Sequence, residues 1–175
     1  MIETPRVRLR PWTEAHIEPF AAMHADAEVM RYLGGVLDAA GAAQKLEYYK
    51  AAQDRFGAGR WALERLDGQF LGYVGVMPSR SEVPLAPHFE MGWCLVKSAW
   101  GQGYAGEGAR AAFEDVFARL LVPEVLAYSD PDNHRSQALM KRLGMTRDEA
   151  RDFSASNESN SWRGRTWATP REDWV

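Results

Sequence analysis

An Asp-Gly pair between two apolar runs constrains the fold of this chain more than any other feature. Asp67 and Gly68 separate Arg60–Leu66 from Gln69–Met77. A two-residue Asp-Gly turn favours a β-hairpin, in which both turn residues take positive φ angles. A third apolar run, His88–Val96, follows along the chain. The three runs predict an antiparallel meander of three strands.

One strand pattern and several helical patterns precede the meander. Arg6–Arg10 alternates apolar and basic residues with a period of two, which predicts a strand with one buried face. Thr13, Asp26 and Asp38 each precede apolar residues at helical spacing, and each residue type is a suitable N-cap. These caps predict three helices, the second of them short and ended by Gly34-Gly35.

Beyond the meander, the apolar residues return to helical spacing. A long helix is predicted from the stripe formed by Ala109, Ala112, Phe113, Val116, Phe117 and Leu120. Val125–Tyr128 then predicts a strand, Asn133–Leu143 a helix, and Met145–Phe153 with Trp162–Ala168 a last pair of strands. The order predicts one domain over residues 1–175, of the α/β class (α+β type). Its mixed, mostly antiparallel central sheet has about seven strands flanked by helices.

The composition narrows the class of protein. Hydrophobic residues make up 46% and charged residues 26% of the chain, which excludes a largely disordered protein. The net charge of −3 argues against a partner that is a nucleic acid or a membrane surface. We find neither a signal peptide nor an apolar run of about 18 residues, so we expect a cytoplasmic protein. The sequence leaves open whether the protein forms a homodimer.

Glycines are concentrated between the meander and the long helix, in Trp100–Glu107. Glycine lets the backbone approach a ligand closely, and free N–H groups at a helix start favour a phosphate. A tight strand-to-helix turn is the alternative. Gly101, Gly103 and Gly106 also match the spacing of a dinucleotide fingerprint, with Asp130 as its acid. That fingerprint needs a parallel sheet, so the meander makes a dinucleotide-binding oxidoreductase the less favoured explanation.

Four segments resemble the GNAT superfamily of N-acetyltransferases, on the branch similar to the ribosomal-protein Ser/Ala N-terminal acetyltransferases (RimJ/RimL-like). They are Thr4–Trp12, Asp26–Tyr32, Trp100–Glu107 and Asn133–Met145. The resemblance implies an acyl-CoA N-acyltransferase fold with acetyl-CoA as cosubstrate. It also implies transfer of the acetyl group to a primary amine, either a protein N-terminal α-amine or a small-molecule amine, by direct attack in a ternary complex.

The resemblance further implies where acetyl-CoA binds. Its pyrophosphate would lie against Gly101, Gln102, Gly103, Tyr104, Ala105 and Gly106. Main-chain groups around Leu95 and Val96 would meet the pantetheine amides and the acetyl oxygen. Asn133 would bond the pantetheine arm as well as cap its helix. Two positions depart from the family: Trp100 stands where Arg or Gln is usual, and Met140 where many relatives carry a tyrosine acid.

Acyl transfer to an amine requires that the amine lose a proton and that the departing thiolate be protonated or tolerated. Glu90, on the strand before the glycine loop, is the candidate to take the amine proton, directly or through water. Its alternative is a solvated or ion-paired strand residue. Ser136, which the resemblance puts near the cofactor sulfur, is the candidate donor to the thiolate. Its alternative is a serine bonded to a helix carbonyl. A coenzyme A-binding protein without catalysis is the alternative function.

Cys94, the single cysteine, lies in an apolar strand and is expected to be an inert core residue rather than an acyl-carrying nucleophile. The four histidines show no metal-ligand spacing, so we expect no metal. We expect the acceptor site at the loop around Gly34-Gly35 and at Ser154–Ser161. The sequence leaves the acceptor open among a protein N-terminus, an aminoglycoside, a polyamine and other small amines.

Overall fold

The computed structural model describes residues 1–79, 83–156 and 161–174. Within them the strands are β1 (Ile2–Glu3), β2 (Val7–Arg10), β3 (Arg60–Arg65), β4 (Phe70–Pro78), β5 (Phe89–Leu95), β6 (Glu124–Ser129), β7 (Thr146–Arg147), β8 (Phe153–Ser156) and β9 (Ser161–Pro170). The α-helices are α1 (Ile17–Ala25), α2 (Ala39–Phe56), α3 (Tyr104–Arg119) and α4 (His134–Arg142).

A central sheet runs through the protein. Its strand order is β1-β2-β3-β4-β5-β6-β9-β7, and β8 pairs with β9. Among the described strands, every pair is antiparallel except β5 with β6. Seven of the nine described strands have four residues or more. The predicted fold class is therefore confirmed, including the mostly antiparallel sheet flanked by helices.

Helices cover both faces of the sheet. Side chains alternate between the faces along each strand, so each strand can pack against the helices on both sides. On one face, Val74 of β4 belongs to a buried cluster that includes Phe113 of α3. On the other face, Tyr73, the residue before Val74 in β4, packs in a cluster with Phe20 of α1 and Leu46 of α2. One strand thus contributes to two cores, and the two helical layers hold the sheet between them.

The hairpin between β3 and β4 forms, but its turn differs from the prediction. Gly68 has a φ of 91°, and no residue other than glycine has a positive φ in the described chain. The Gly68 N–H donates to the Arg65 carbonyl (2.9 Å), and the Arg65 N–H donates to the Gln69 carbonyl (2.9 Å). The connection is therefore a three-residue loop in which only the glycine is left-handed. The expected positive φ at Asp67 is wrong.

The short helix predicted after Asp26 is also wrong, because that segment forms turns. The Asp26 carboxylate accepts from the N–H groups of Glu28 (2.8 Å) and Val29 (3.3 Å). These bonds have the geometry of an N-cap, so the predicted cap is present, but a run this short does not repay the cost of helix nucleation.

The predicted strand Met145–Phe153 is divided into two. A 3₁₀ turn at Glu149–Arg151 separates β7 from β8, and the Asp148 carboxylate caps it by accepting from the Arg151 N–H (3.3 Å). β8 then includes the first three residues of Ser154–Ser161, the segment in which the acceptor site was expected, and Ser161 begins β9. Residues 157–160 of that segment lie outside the described residues.

Candidate active site

The parallel strands β5 and β6 pair only briefly and then part. Their ladder holds two residue pairs, of which the second is Glu90 with Leu126. β5 nevertheless continues to Leu95, and β6 to Ser129. The sheet therefore opens toward the carboxyl ends of both strands. The chain leads from these ends into α3 and α4, so two helix N-termini follow the same edge of the sheet.

The main chain of Leu95 faces this opening. The Val96 N–H donates to the Leu71 carbonyl on β4 (2.9 Å). In an antiparallel ladder, residues bonded across the ladder alternate with residues whose groups point away, so the Leu95 groups point away from β4. The Leu95 carbonyl accepts from the Trp100 indole (2.9 Å). The Val96 carbonyl accepts from the Ala99 N–H (3.0 Å). Because the Val96 N–H is already bonded to β4, Leu95 is the one of the two predicted residues that offers an N–H to a ligand here.

The glycine loop has the geometry of an anion site. Gly101 and Gly103 have φ angles of 74° and 83°, and Gly103 is the N-cap of α3. A side chain at Gly101 would meet nothing within 4 Å, so the loop faces open space there. The absence of a side chain at Gly106 allows α4 to pack closely against α3, because a Cβ on Gly106 would lie 3.3 Å from Leu139 Cδ1. The first N–H groups of α3 have no carbonyl acceptor within the helix, and they suit a phosphate. The predicted residues 101–106 thus fit a pyrophosphate.

The start of α4 lies beside this loop. The Asn133 carboxamide oxygen accepts from the Ser136 N–H (3.2 Å), which confirms Asn133 as the N-cap. The guanidinium of Arg135 stacks on Trp100, 4.6 Å from the ring centroid. Ser136 is half-buried in the first turn of the helix. The contacts of Arg135 with Trp100 and of Leu139 with Gly106 therefore place the start of α4 beside the start of α3.

Glu90 is part of a partly buried polar network. Its carboxylate accepts from Arg60 Nη2 (2.6 Å) and from the Tyr128 hydroxyl, and its carbonyl accepts from Arg60 Nη1 (2.7 Å). Arg60 is 4% exposed. Burial lowers the pKa of Arg60, but Glu90 and nearby tyrosines more than offset it, so the pKa is raised. Glu90 is thus an ion-paired strand residue, which was the alternative left open for it.

Sequence reasoning missed Arg60 and Tyr128. The available signal is a charged residue that opens an apolar strand, together with a glycine in β5, two strands away in the sheet. A Cβ on Gly92 would lie 2.5 Å from Arg60 Nη2, so the guanidinium needs a glycine at that position. Tyr128 lies two residues beyond Leu126, where β6 has already parted from β5.

A groove runs beside this network. Its volume is about 820 Å³, and it is lined by Leu33, Leu37, Gly41, Gln44, Lys45, Tyr48, Ala51, Ala52, Arg55, Phe56, Met77, Pro78 and Ser79. Met77, at the end of β4, is the cross-strand neighbour of Glu90. From the other side, Phe153 of β8 packs edge-on against Tyr128, with ring centroids 5.2 Å apart. Leu33 and Leu37, which flank the predicted Gly34-Gly35 loop, line this groove, whereas Phe153 comes one residue before the predicted segment Ser154–Ser161.

Cys94 is buried, and burial raises the pKa of its thiol to about 12. The thiolate is scarcely populated at neutral pH, in agreement with an inert core residue. Among the described residues, no group of three His, Cys, Asp or Glu side chains could hold a metal ion. No helix in the described part of the chain is long and apolar enough to cross a bilayer.

Residues 6–146 match the acetyltransferase (GNAT) domain family. The chain belongs to this family. It is 28% identical to the protein YkkB of Bacillus subtilis (strain 168), over 81% of this chain and 83% of YkkB. It is 30% identical to the FsC-acetyl coenzyme A-N(2)-transacetylase of Aspergillus fumigatus, over 83% of this chain and 64% of that enzyme.

Solved structures show the same fold. An acetyltransferase from Agrobacterium tumefaciens str. C58 has a TM-score of 0.79 at 24% identity, covering 96% of this chain and 92% of its own. An acetyltransferase from Salmonella typhimurium, described as modifying the N-terminal serine of ribosomal protein L7/L12, has a TM-score of 0.76 at 14% identity, with coverages of 95% and 96%. The GNAT protein therefore has the predicted fold. The dinucleotide alternative does not fit, since only one parallel strand pair occurs among the described strands.

Proposed function

We propose that this GNAT protein transfers an acetyl group from acetyl-CoA to a primary amine, and that the reaction takes place where β5 and β6 part. The opening between these strands carries the proposal. It presents the main-chain edge of Leu95 inside the sheet, and two helix N-termini follow its rim. Membership of the acetyltransferase family supports the chemistry.

Main-chain groups hold the donor in this proposal. The N–H groups of residues 101–106 bind the pyrophosphate, because they stand at the positive end of α3. The Leu95 N–H binds the acetyl oxygen, where a fixed donor stabilises the charge that develops during attack. The Asn133 carboxamide uses its oxygen in the helix cap, which leaves its NH₂ group to donate to the pantetheine arm.

Glu90 and Tyr128 receive the amine proton. The amine must lose a proton before its nitrogen attacks the acetyl carbon, and the Glu90 carboxylate, which is paired with Arg60, accepts that proton. The proton passes to Glu90 directly or through Tyr128. In the second case, the amine proton moves to the Tyr128 oxygen while the Tyr128 hydroxyl proton moves to the carboxylate that it already contacts.

Ser136 completes the reaction on the donor side. Its hydroxyl protonates the departing thiolate, and the positive end of α4 stabilises that charge until the proton arrives. The acceptor approaches through the groove beside α2, because Met77 of the groove is the neighbour of Glu90. A peptide N-terminus and a small-molecule amine are the two classes of acceptor proposed.

The test is consumption of acetyl-CoA with a panel of N-terminal peptides, aminoglycosides, polyamines and simple amines. We expect at least one class to accelerate thiol release. Glu90→Gln should then shift the rise of kcat/KM to higher pH, because the amine must lose its proton without help. Glu114→Gln, an exposed carboxylate on α3, is the matched control. An unchanged profile in Glu90→Gln would remove Glu90 from the mechanism.

A coenzyme A-binding protein without catalysis is the second candidate. Both carboxylate oxygens of Glu90 are already bonded to protein donors, and Met140 replaces the tyrosine acid of many relatives. Calorimetry separates the candidates. Coenzyme A binding without amine-dependent thiol release across the panel would favour this second function.

A further inference from the structure

Arg6 ties the first strands of the protein to the glycine loop. Its main-chain N–H donates to Glu107 Oε1 (2.8 Å), and its Nε donates to Glu107 Oε2 (2.6 Å). Its Nη1 donates to the Gln102 carbonyl (2.9 Å). The Thr4 hydroxyl adds a bond to Glu107 Oε1 (2.7 Å). Two residues that lie 96 to 103 positions earlier in the sequence therefore bond to the loop at Gln102 and at Glu107.

The guanidinium also lies against the start of α3. Arg6 Nη2 is 3.2 Å from the place that a Gly103 Cβ would occupy. Its carbon lies 5.1 Å from the centroid of the Tyr104 ring. The missing side chain at Gly103 thus makes room for Arg6 as well as for a ligand.

Glu107 needs this pairing if the loop holds phosphates. It stands in the first turn of α3, where an unpaired carboxylate would repel an anionic ligand. Burial raises the pKa of Glu107, but the hydrogen bonds from Thr4 and Arg6 outweigh it, so the pKa is below its ordinary value and the group is ionised at neutral pH. Arg6 offsets that charge at a distance of 2.6 Å.

We infer that Arg6, with Thr4 and Glu107, is a positioning group for the phosphates of the acetyl donor. The group fixes the loop so that its N–H groups converge, and it cancels the negative charge of Glu107. This inference rests on the proposed function, because it presumes that the loop binds the pyrophosphate.

Arg6→Ala tests the inference by calorimetry with coenzyme A and by kinetics with two donors. We expect Kd for coenzyme A and KM for acetyl-CoA to rise roughly 10-fold or more, the effect of losing charge-assisted hydrogen bonds. At saturating acetyl-CoA, kcat should change little. S-acetylpantetheine, which lacks the phosphates, should react with unchanged kcat/KM. Arg6→Ala/Glu107→Gln should bind coenzyme A more tightly than Arg6→Ala, because the unpaired carboxylate is gone.

Arg8→Ala is the matched control, since Arg8 lies two residues further along the chain, on β2, and pairs with Glu3 instead. Equal coenzyme A affinity in the wild type and Arg6→Ala would overturn the inference. An equal loss with S-acetylpantetheine would also overturn it, since that result indicates a general structural role. If Arg6→Ala does not fold, Thr4→Ala must still weaken coenzyme A binding. A wild type that binds no coenzyme A would instead overturn the proposed function.

Discussion

Gly92 decides whether the polar network around Glu90 can exist. Arg60 crosses the sheet surface in the space left by this glycine, since a Cβ there would lie 2.7 Å from the guanidinium carbon. We expect Gly92→Ala to displace Arg60 and to destabilise the protein by about 1–3 kcal/mol, as overpacking of a core does. Denaturant unfolding measures the loss, with Gly41→Ala in α2 as the control. Unchanged stability in Gly92→Ala would mean that the Arg60 side chain can adopt another conformation without cost.

Ser136 is the residue whose side chain the proposed mechanism needs most on the donor side. We expect Ser136→Ala to lower kcat by roughly 10²-fold, because the thiolate then leaves unprotonated. The N-cap bond from the Ser136 N–H to Asn133 survives this change, so the fold should be retained. Stopped-flow or steady-state thiol release measures kcat. A fully active variant would remove Ser136 as the acid while leaving direct transfer intact.

Single residues were predictable where their role is local. Asn133 caps its helix and Cys94 is buried, because cap spacing and apolar neighbours are visible in sequence. Arg60 and Tyr128 were not predictable as partners of Glu90. Their meeting depends on the registers of β3 against β4 and of β4 against β5, and on the parting of β5 from β6, which are long-range properties.

The start of α3 is the element with the clearest prediction. Gly103→Val should weaken coenzyme A binding strongly, because it strains a residue with a φ of 83° and crowds Arg6. Gly68→Val is a matched control for strain, since Gly68 has a φ of 91° and open space around it. We expect both variants to lose stability and only Gly103→Val to lose affinity in calorimetry. Equal affinities would place the phosphates elsewhere.

At the scale of elements, periodicity predicted which segments are helices and strands better than how they end. The hairpin at Gly68 was expected from the Asp-Gly pair, but a two-residue and a three-residue loop share that signal. The predicted strand Met145–Phe153 fails because the Asp148 cap and the ion pair of Arg151 with Glu124 on β6 favour a turn. Ion pairs between distant segments leave no local pattern in a sequence.

At the scale of the whole molecule, the proposed donor and acceptor sites share the same opening of one sheet, which favours a ternary complex over an acyl-enzyme. Proximity in such a complex supplies several kcal/mol of the barrier. We expect intersecting initial-rate lines for the wild type and nearly full activity in Cys94→Ala. Parallel lines with an inactive Cys94→Ala would demonstrate a covalent intermediate instead.

Stability against acid tests the packing of the helical layer formed by α1 and α2. His24 is fully buried, and its Nδ1 lies 2.9 Å from the Phe20 carbonyl. Among the residues that the structure describes, its Nε2 has no hydrogen-bond partner. Burial first, and the charge of Lys45 second, lower the pKa of His24 from 6.5 to about 4. As the pH falls, His24 therefore binds a proton near pH 6.5 in the unfolded chain but only near pH 4 in the folded protein. This difference removes stability as the pH falls through that window, by roughly 3 kcal/mol in all.

His24→Gln should flatten this part of the pH dependence, because the folded and unfolded states then bind the same number of protons at position 24. Guanidinium unfolding at intervals from pH 7.5 to 4 measures the free energy of unfolding for the wild type and the variant. His134→Gln is the control, since His134 is exposed at the start of α4. Below pH 6.5, the free energy of unfolding of the wild type should fall steadily relative to that of His24→Gln. A constant difference across the range would show that the buried imidazole accepts its proton without disturbing the layer that α1 and α2 form.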